Sequence, residues 1–127
     1  MLGLGALALI LGTLALPVPT AWAVPTDYVI SGAATTTNGG GGRLTTTGDT
    51  LTITATGSVT TSGISGVQTN VGGTIITHNG PIITTGTSAY GIVAGTTGPI
   101  AGDVTILGTG SIATTGNYAY GIISDVG

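Results

Sequence analysis

Two aspartates in similar settings, Asp49 and Asp103, come closest in this sequence to a catalytic or calcium-binding pair. Each follows a glycine and precedes a short stretch of threonine and aliphatic residues. Paired carboxylates can act as general acid and base, and their oxygens bind calcium. Equivalent aspartates two strand spacings apart would be about 10 Å from each other, however, which is too far to share a proton. Because calcium also requires about six to eight oxygens, we predict that each aspartate accepts backbone N–H bonds in an Asx-type turn.

The remaining charged side chains are few and scattered. Charged residues make up 4% of the 127 residues, the net charge is −3, and Arg43 is the only basic side chain apart from His78. A single arginine cannot neutralise a phosphate backbone, so nucleic acid is not an expected partner. Because His78 has no further metal ligands near it in the sequence, we expect it to be an exposed corner residue. Arg43 has no charged partner near it in the sequence, so we expect a solvated surface charge there. We predict no catalytic residue, no metal site, no cofactor and no enzyme activity.

Two tyrosines, Tyr90 and Tyr120, recur in matching Ala-Tyr-Gly-Ile strings that are 30 residues apart. If the two strings occupy consecutive turns of a repeat, the rings form an aromatic ladder on the surface. Such a ladder stabilises the fold by about 0.5–1.5 kcal/mol. The alternative is a platform on which a sugar stacks.

A repeated pattern supplies the elements that must position these residues. Glycines recur at positions 57, 80 and 110, in steps of 23 and 30 residues. The same alignment predicts one column of Ile53, Ile76 and Ile106 and a second column of Val59, Ile82 and Ile112. Aliphatic residues alternate with threonine at Leu51 and Ile53, and Val104 and Ile106 take the same places in the last copy. Alternation with a period of two predicts short strands with one apolar face.

A repeat of this length with short strands and glycine corners predicts a solenoid, in which each strand pairs with its equivalent in the next turn. The predicted fold is all-β: a right-handed parallel β-helix of about three turns with an N-terminal cap, preceded by a helical signal peptide. Like aliphatic side chains then stack in internal columns. The predicted core comprises Leu51, Ile53, Val59, Ile76, Ile82, Ile92, Val104, Ile106, Ile112 and Ile122.

The chain divides into three predicted regions. Residues 1–23 contain an apolar run, two prolines and an Ala-Trp-Ala box, which together predict a signal peptide cleaved after Ala23. The apolar run is shorter than the roughly 20 residues that a membrane-spanning helix needs. Residues 24–47 are interpreted as an N-terminal cap with one strand at 28–30 and a loop over 33–42, and residues 48–127 as the repeats. The sequence stops directly after an apolar strand, so we expect a truncated array with further repeats beyond it.

This combination resembles the passenger region of autotransporter proteins, the type V secretion systems of Gram-negative bacteria. The resemblance is carried by the leader ending at Ala23, by Gly-Asp-Thr-Leu-Thr-Ile at 48–53, by Gly-Ser-Val-Thr-Thr at 57–61, and by the Ala-Tyr-Gly-Ile strings at 89–92 and 119–122. It implies export through the inner membrane and display at the cell surface, associated with the outer membrane, or release outside the cell. It also implies a C-terminal β-barrel translocator, whose pattern we do not find in these 127 residues.

The expected function is that of a non-catalytic passenger segment, a structural stalk or adhesin. Its partners would be host or neighbouring-cell surface molecules, or further copies of itself. One alternative is a fragment of a β-helix enzyme acting on polysaccharide, although the carboxylate pair or basic residue that such an enzyme needs is not evident. Another is a threonine-rich ice-binding solenoid, although the array begun by Thr52 and Thr54 is interrupted by Ile75 and Leu107 in the aligned copies.

Overall fold

The computed structural model describes residues 24–35, 43–95, 100 and 102–124. Within these ranges the chain forms strands and no helix, so no described helix could span a membrane. The predicted signal peptide and its cleavage site at Ala23 lie outside the described residues. In chain order the strands are β1 (Asp27–Ile30), β2 (Ala33–Thr35), β3 (Arg43–Leu44), β4 (Thr50–Ile53), β5 (Ser58–Ser62), β6 (Val67–Thr69), β7 (Thr74–His78), β8 (Ile82–Thr85), β9 (Ile92–Ala94), β10 (Val104–Leu107), β11 (Ile112–Thr115) and β12 (Ile122–Ser124).

The strands form three parallel sheets, and the chain visits the sheets in a fixed rotation. Sheet 1 has the order β1-β4-β7-β10, sheet 2 has β2-β5-β8-β11, and sheet 3 has β3-β6-β9-β12. Three consecutive strands therefore make one coil, and we number the coils 1 to 4 from β1–β3 to β10–β12. Each strand pairs with its equivalent one coil later, so interior backbone groups are satisfied from both sides. The chain is all-β with parallel strands, and the arrangement is consistent with the predicted parallel β-solenoid.

The segment that we interpreted as a cap supplies the strands of coil 1. Residues 24–47 contain β1, β2 and β3, which pair in parallel with the strands of coil 2. Ala33–Thr35, predicted to lie in a loop, is strand β2. Strand β2 contains no large apolar side chain, which is why the sequence did not predict it. In the structure its central residue, Ala34, pairs with the fully buried Val59 of β5. A small side chain suffices there because β5 supplies the pairing partner, a contribution that the sequence of β2 alone does not reveal.

The hydrophobic core lies inside the coils and is built from alternate side chains along strands such as β4, β5, β7 and β8. Burial of each such aliphatic side chain contributes about 1.5–3 kcal/mol. Of the predicted core, Val104, Ile106 and Ile112 in coil 4 are only partly buried, although they pack against the interior. Ile122 is 52% exposed, contrary to prediction, because it contacts Ile92 on one side and no described strand lies on its other side. The fully buried cluster comprises Leu44, Leu51, Ile53, Val59, Val67, Ile76, Ile82 and Ile92.

One predicted column is wrong at the step from coil 2 to coil 3. Ile53 pairs with His78, and Leu51 pairs with Ile76, whereas Ile76 pairs with Ile106 as predicted. The sheet 1 column is therefore Leu51, Ile76 and Ile106, with Ile53 in the next column. A shift of two residues keeps every side chain on its original face, which is why Ile53 remains fully buried.

The cause of this shift is the length of the first corner. Five residues separate Ile53 from Val59, whereas three separate their partners His78 and Ile82. The sheet 2 column of Val59, Ile82 and Ile112 has the predicted register. The two additional residues of coil 2 are thus accommodated in the corner between sheets 1 and 2.

The recurring glycines stack at this same corner. A Cβ atom built on Gly80 would lie 1.8 Å from the carbonyl oxygen of Gly57, and one built on Gly110 would lie 2.3 Å from that of Gly80. No side chain can occupy such a space, so only glycine permits this approach of successive coils. The glycine alignment read from the sequence therefore reports backbone contact between coils.

Candidate functional site: a groove beside two stacked tyrosines

A column of inward-facing threonines shapes the corner between sheets 2 and 3. Thr61, Thr84 and Thr114 occupy equivalent positions in β5, β8 and β11. Each hydroxyl donates a hydrogen bond across the corner, to the carbonyl oxygen of Ile64 at 2.8 Å, Ala89 at 3.0 Å and Ala119 at 3.4 Å, respectively. Because each inward-facing threonine is fixed within its strand, its hydrogen bond fixes the position of the carbonyl group. The residue that follows that carbonyl is therefore held in place at the corner.

Those following residues are Ser65, Tyr90 and Tyr120, which form a second column at the start of sheet 3. Tyr90 N donates to Ser65 Oγ at 3.4 Å, and Gly91 N donates to the carbonyl oxygen of Tyr120 at 3.0 Å. The rings of Tyr90 and Tyr120 are stacked, with centroids 6.0 Å apart and an interplanar angle of 14°. Tyr90 is half-buried, whereas Tyr120 is 54% exposed. The two predicted ladder residues are thus brought together on the surface.

A groove of about 470 Å³ lies beside this stack, along the outer surface of sheet 3. Its apolar side chains are Ile64, Val93 and Ile123, and its hydrogen-bonding side chains belong to Ser65, Gln68 and Ser88. None of the lining residues that the structure describes has an acidic or basic side chain. The described lining residues are Gly63, Ile64, Ser65, Gln68, Ser88, Tyr90, Val93, Gly95 and Ile123.

The polar residues of the groove were not predicted as a site, although the sequence contained a signal for one of them. Aligning the copies places Ser65-Gly66-Val67 against Tyr90-Gly91-Ile92, so a tyrosine is replaced by serine in coil 2. Gln68 and Ser88 carry no comparable signal. They reach the groove only because β6 pairs with β9 and because Ser88 adopts a left-handed backbone conformation at the corner, with φ of 56°.

Asp49 has the structural role predicted for it. Its side chain is 1% exposed, with Oδ1 accepting from Thr26 N at 2.8 Å and Oδ2 accepting from Thr45 N at 3.0 Å and Thr46 N at 2.9 Å. Burial acts to raise the pKa of Asp49, but the three N–H donors outweigh it and the pKa lies below 3.8. Asp49 therefore accepts backbone N–H bonds as predicted and ties coil 1 to coil 2. The bonds are not those of an Asx turn, because Thr45 and Thr46 precede the aspartate in the chain.

Asp103 is not the structural equivalent of Asp49, although the sequence alignment predicted equivalent positions for the two. Thr50, Ile75 and Thr105 share one register position, which places Asp49 level with Thr74 and Val104. Asp103 lies one residue earlier and is exposed. Because a one-residue offset reverses the direction of a side chain, Asp49 points inward and Asp103 does not. The sequence alignment predicted that Val104 takes the place of Leu51. The register shows that this is wrong, because Leu51 is level with Ile76 and Val104 is level with Thr74.

His78 is buried, which contradicts the prediction of an exposed corner residue. It is the last residue of β7, its side chain is 7% exposed, and its Nδ1 atom has no hydrogen-bond partner among the described residues. Burial lowers the pKa of His78 from 6.5. The described residues contain no group of three or more His, Asp or Glu side chains that could hold a metal ion. Arg43 begins β3 and pairs with Gln68 through its backbone, and the predicted solvation of its charge stays a prediction.

Comparison with known proteins finds no family model, no curated protein and no solved structure that matches this chain.

Proposed function

We propose that this chain is a non-catalytic segment of an exported surface protein, in which stacked β-helical coils form a stalk that presents an adhesive surface. The observation that carries the proposal is the continuous pairing of all three sheets through coils 1 to 4. Each coil adds about 4.8 Å along the stack, so repetition extends the rod without requiring a new core. A rod of this kind suits the display of a surface at a distance from its point of attachment.

The proposed solenoid is right-handed. Successive strands of each sheet are parallel and are connected by a crossover through the other two sheets. Crossovers between parallel strands of one sheet are right-handed in about 98% of known cases, because twisted strands return onto the sheet most readily in that sense. A crystal structure of the exported protein gives the handedness directly, and a left-handed coil would remove this part of the proposal.

The adhesive role is supported by the chemistry of the outer surface. Thr60, Tyr118 and Tyr120 are among its exposed side chains, together with aliphatic ones such as Ile75 and Ile83. Hydroxyl groups and aromatic rings can bind neutral partners without ion pairing. This fits a chain of which only 4% is charged.

An ice-binding function receives less support, because the outward rows of threonine are interrupted. Thr50 and Thr105 share a row with Ile75, and Ile75 is 42% exposed. In sheet 2, Thr60 has Ile83 as its neighbour, and Ile83 is 40% exposed. A regular array of hydroxyls is therefore not present on either of these described surfaces.

Export is tested by fusing residues 1–127 to a phosphatase that is active only outside the cytoplasm of a Gram-negative host. The matched control lacks residues 2–23. We expect activity from the full fusion alone, and Val24 as the first residue of the exported product if cleavage follows Ala23. Equal activity from both fusions would contradict export by this segment.

Adhesion is tested with beads coated with the exported protein, mixed with one another and with cells. Clustering of the beads or their attachment to cells supports the proposal. Reducing sugars released from polysaccharide, in the absence of either effect, would favour the enzymatic alternative.

A further inference from the structure

We propose that the groove at Ser65 is a binding site for a neutral sugar ring, which stacks on Tyr90 in the place where the tyrosine column lacks a ring. This deepens the adhesive function proposed above, and rests on it, by naming the chemical class of the ligand. The three observations behind it are the interrupted column, the polar groups of the groove and the absence of charged side chains among its described lining residues.

The interrupted column provides an aromatic surface of suitable shape. Ser65, Tyr90 and Tyr120 occupy the same place in coils 2, 3 and 4, and successive coils are about 4.8 Å apart. Tyr120 covers Tyr90 from the side of coil 4. On the side of coil 2 the corresponding residue is the small Ser65, and both Ser65 and Tyr90 line the groove. The space therefore corresponds to one missing ring of the stack, and a six-membered ring of similar size fits it.

The polar groups favour a sugar over a purely apolar ring. Ser65 and Ser88 contribute hydroxyls, and Gln68 contributes an amide that both donates and accepts. Val93 and Ile123 provide apolar surface within the same groove. A hexose ring presents C–H groups on its faces and hydroxyls around its edge, so this mixture of apolar and hydrogen-bonding contacts is complementary to it. An aromatic hydrocarbon would form no hydrogen bond with Gln68 or Ser88, and covering polar groups without such bonds is unfavourable.

The uncharged character of the described lining residues restricts the class of sugar further. A carboxylate-bearing sugar would lose water on entering a site whose described lining residues include no basic side chain, and an unpaired charge is costly to desolvate. The volume of about 470 Å³ falls within the range of about 300–1,000 Å³ typical of small-molecule sites. The expected ligand is therefore a neutral hexose unit of a surface glycan.

The test measures binding of defined sugars to the exported protein by saturation-transfer NMR. The probes are the methyl glycosides of glucose, galactose, mannose and N-acetylglucosamine, with glucuronic acid as the charged comparison and indole as the aromatic one. We expect at least one neutral glycoside to bind. Binding by none of the four, or stronger binding by glucuronic acid or indole, would overturn the proposal.

Two substitutions then locate the site. Tyr90→Ala removes the stacking surface and should weaken binding about tenfold, which corresponds to about 1.4 kcal/mol. Ser65→Tyr supplies the missing ring, and should abolish binding while raising the thermal unfolding temperature. The matched control is Tyr118→Asn, which removes a 73% exposed tyrosine from outside the groove and tolerates the φ of 57° at that position. Equal binding by all variants would contradict the assignment.

A further variant keeps the test informative if Ser65→Tyr does not fold. Gln68→Leu removes the amide and retains apolar bulk, so it should weaken sugar binding without loss of the fold, as monitored by circular dichroism. Unchanged binding would remove Gln68 from the proposed site. The outcomes also distinguish the sugar site from the adhesive function. Bead adhesion that survives Ser65→Tyr would leave the adhesive function intact and exclude this groove as its basis. Failed export or failed adhesion, with sugar binding retained, would contradict the adhesive function alone.

Discussion

His78 and Ile53 are direct partners in sheet 1, so an imidazole occupies a column that isoleucines fill in coils 1 and 2. Ile30 pairs with Ile53, and Ile53 pairs with His78. In coil 4 the position level with His78 is Gly108, which has no side chain to cover the ring. The His78 side chain is nevertheless only 7% exposed, and its Nδ1 atom has no hydrogen-bond partner among the described residues. No acidic or basic side chain shares this column.

This burial predicts a dependence of stability on pH. The pKa of His78 is lowered from 6.5 by burial, so the unfolded chain binds a proton more readily than the folded chain does. The corresponding stability is fully present above pH 6.5 and is lost as the pH falls below this value. Urea unfolding measured above and below pH 6.5 should give a lower free energy of unfolding at the more acidic pH.

The matched variant for this prediction is His78→Leu, which fills the column without a titratable group. Its free energy of unfolding should be nearly constant over the same pH interval. If the wild-type protein and His78→Leu respond equally to pH, a group other than His78 is responsible.

Replacing Asp49 should cost far more stability than replacing Asp103. Asp49→Asn removes the charge that accepts three backbone N–H bonds, and hydrogen bonds to charged groups contribute about 1.5–3 kcal/mol. We expect the free energy of unfolding to fall by about 2–3 kcal/mol. The control Asp103→Asn alters an exposed residue and should remain within about 0.5 kcal/mol of wild type. Similar losses for both variants would show that the two aspartates are equivalent after all.

Acid should act through the same carboxylate. The pKa of Asp49 lies below 3.8 in the folded protein, so its contribution is present above pH 3.8 and disappears as the pH falls through the folded value. Acid unfolding followed by circular dichroism should therefore show a component in this range that is missing from Asp49→Asn.

The glycine corner predicts a strong positional difference between two Gly→Ala substitutions. Gly80→Ala places a Cβ atom 1.8 Å from the Gly57 carbonyl oxygen, and backbone cannot move aside without separating the coils. We expect a loss of about 3 kcal/mol, at the upper end of the range for overpacking. Gly32→Ala meets no atom within 4 Å and should leave stability unchanged or raise it by up to about 1 kcal/mol. Thermal unfolding distinguishes the two, and a Gly80→Ala variant as stable as wild type would refute the stacked corner.

The threonine column predicts a link between the interior and the groove. Thr84→Val removes the hydroxyl that donates to the Ala89 carbonyl oxygen at 3.0 Å and leaves that buried acceptor unpaired, at a cost of about 1–3 kcal/mol. Because the carbonyl directly precedes Tyr90, sugar binding should weaken as well. Thr60→Val, on the exposed face of the same sheet, is the control and should affect neither quantity. Loss of stability without loss of sugar binding would show that the Thr84 hydrogen bond does not position Tyr90 for sugar binding.

The sequence by itself determined those features that repeat. Alternation of aliphatic residues with threonine identified the inward face of β4, and the recurring glycines identified corners that touch from coil to coil. The spacing of the Ala-Tyr-Gly-Ile strings predicted neighbouring rings, and Tyr90 stacks on Tyr120. These features follow from local periodicity, because a period of two fixes which face a side chain occupies whatever its partner strand is.

Only the tertiary structure decided which residues meet. A period of two cannot distinguish a register from one displaced by two residues, and the corner after β4 absorbed such a displacement, so that Ile53 meets His78 instead of Ile76. Similarly, the burial of Asp49 depends on N–H groups from coil 1 as well as from its own turn, and the groove exists because Ser65 lies under Tyr90. The conformation of a corner, and the side chains that meet there, depend on contacts with neighbouring coils. Those coils are remote in sequence, so the local sequence pattern does not predict the contacts.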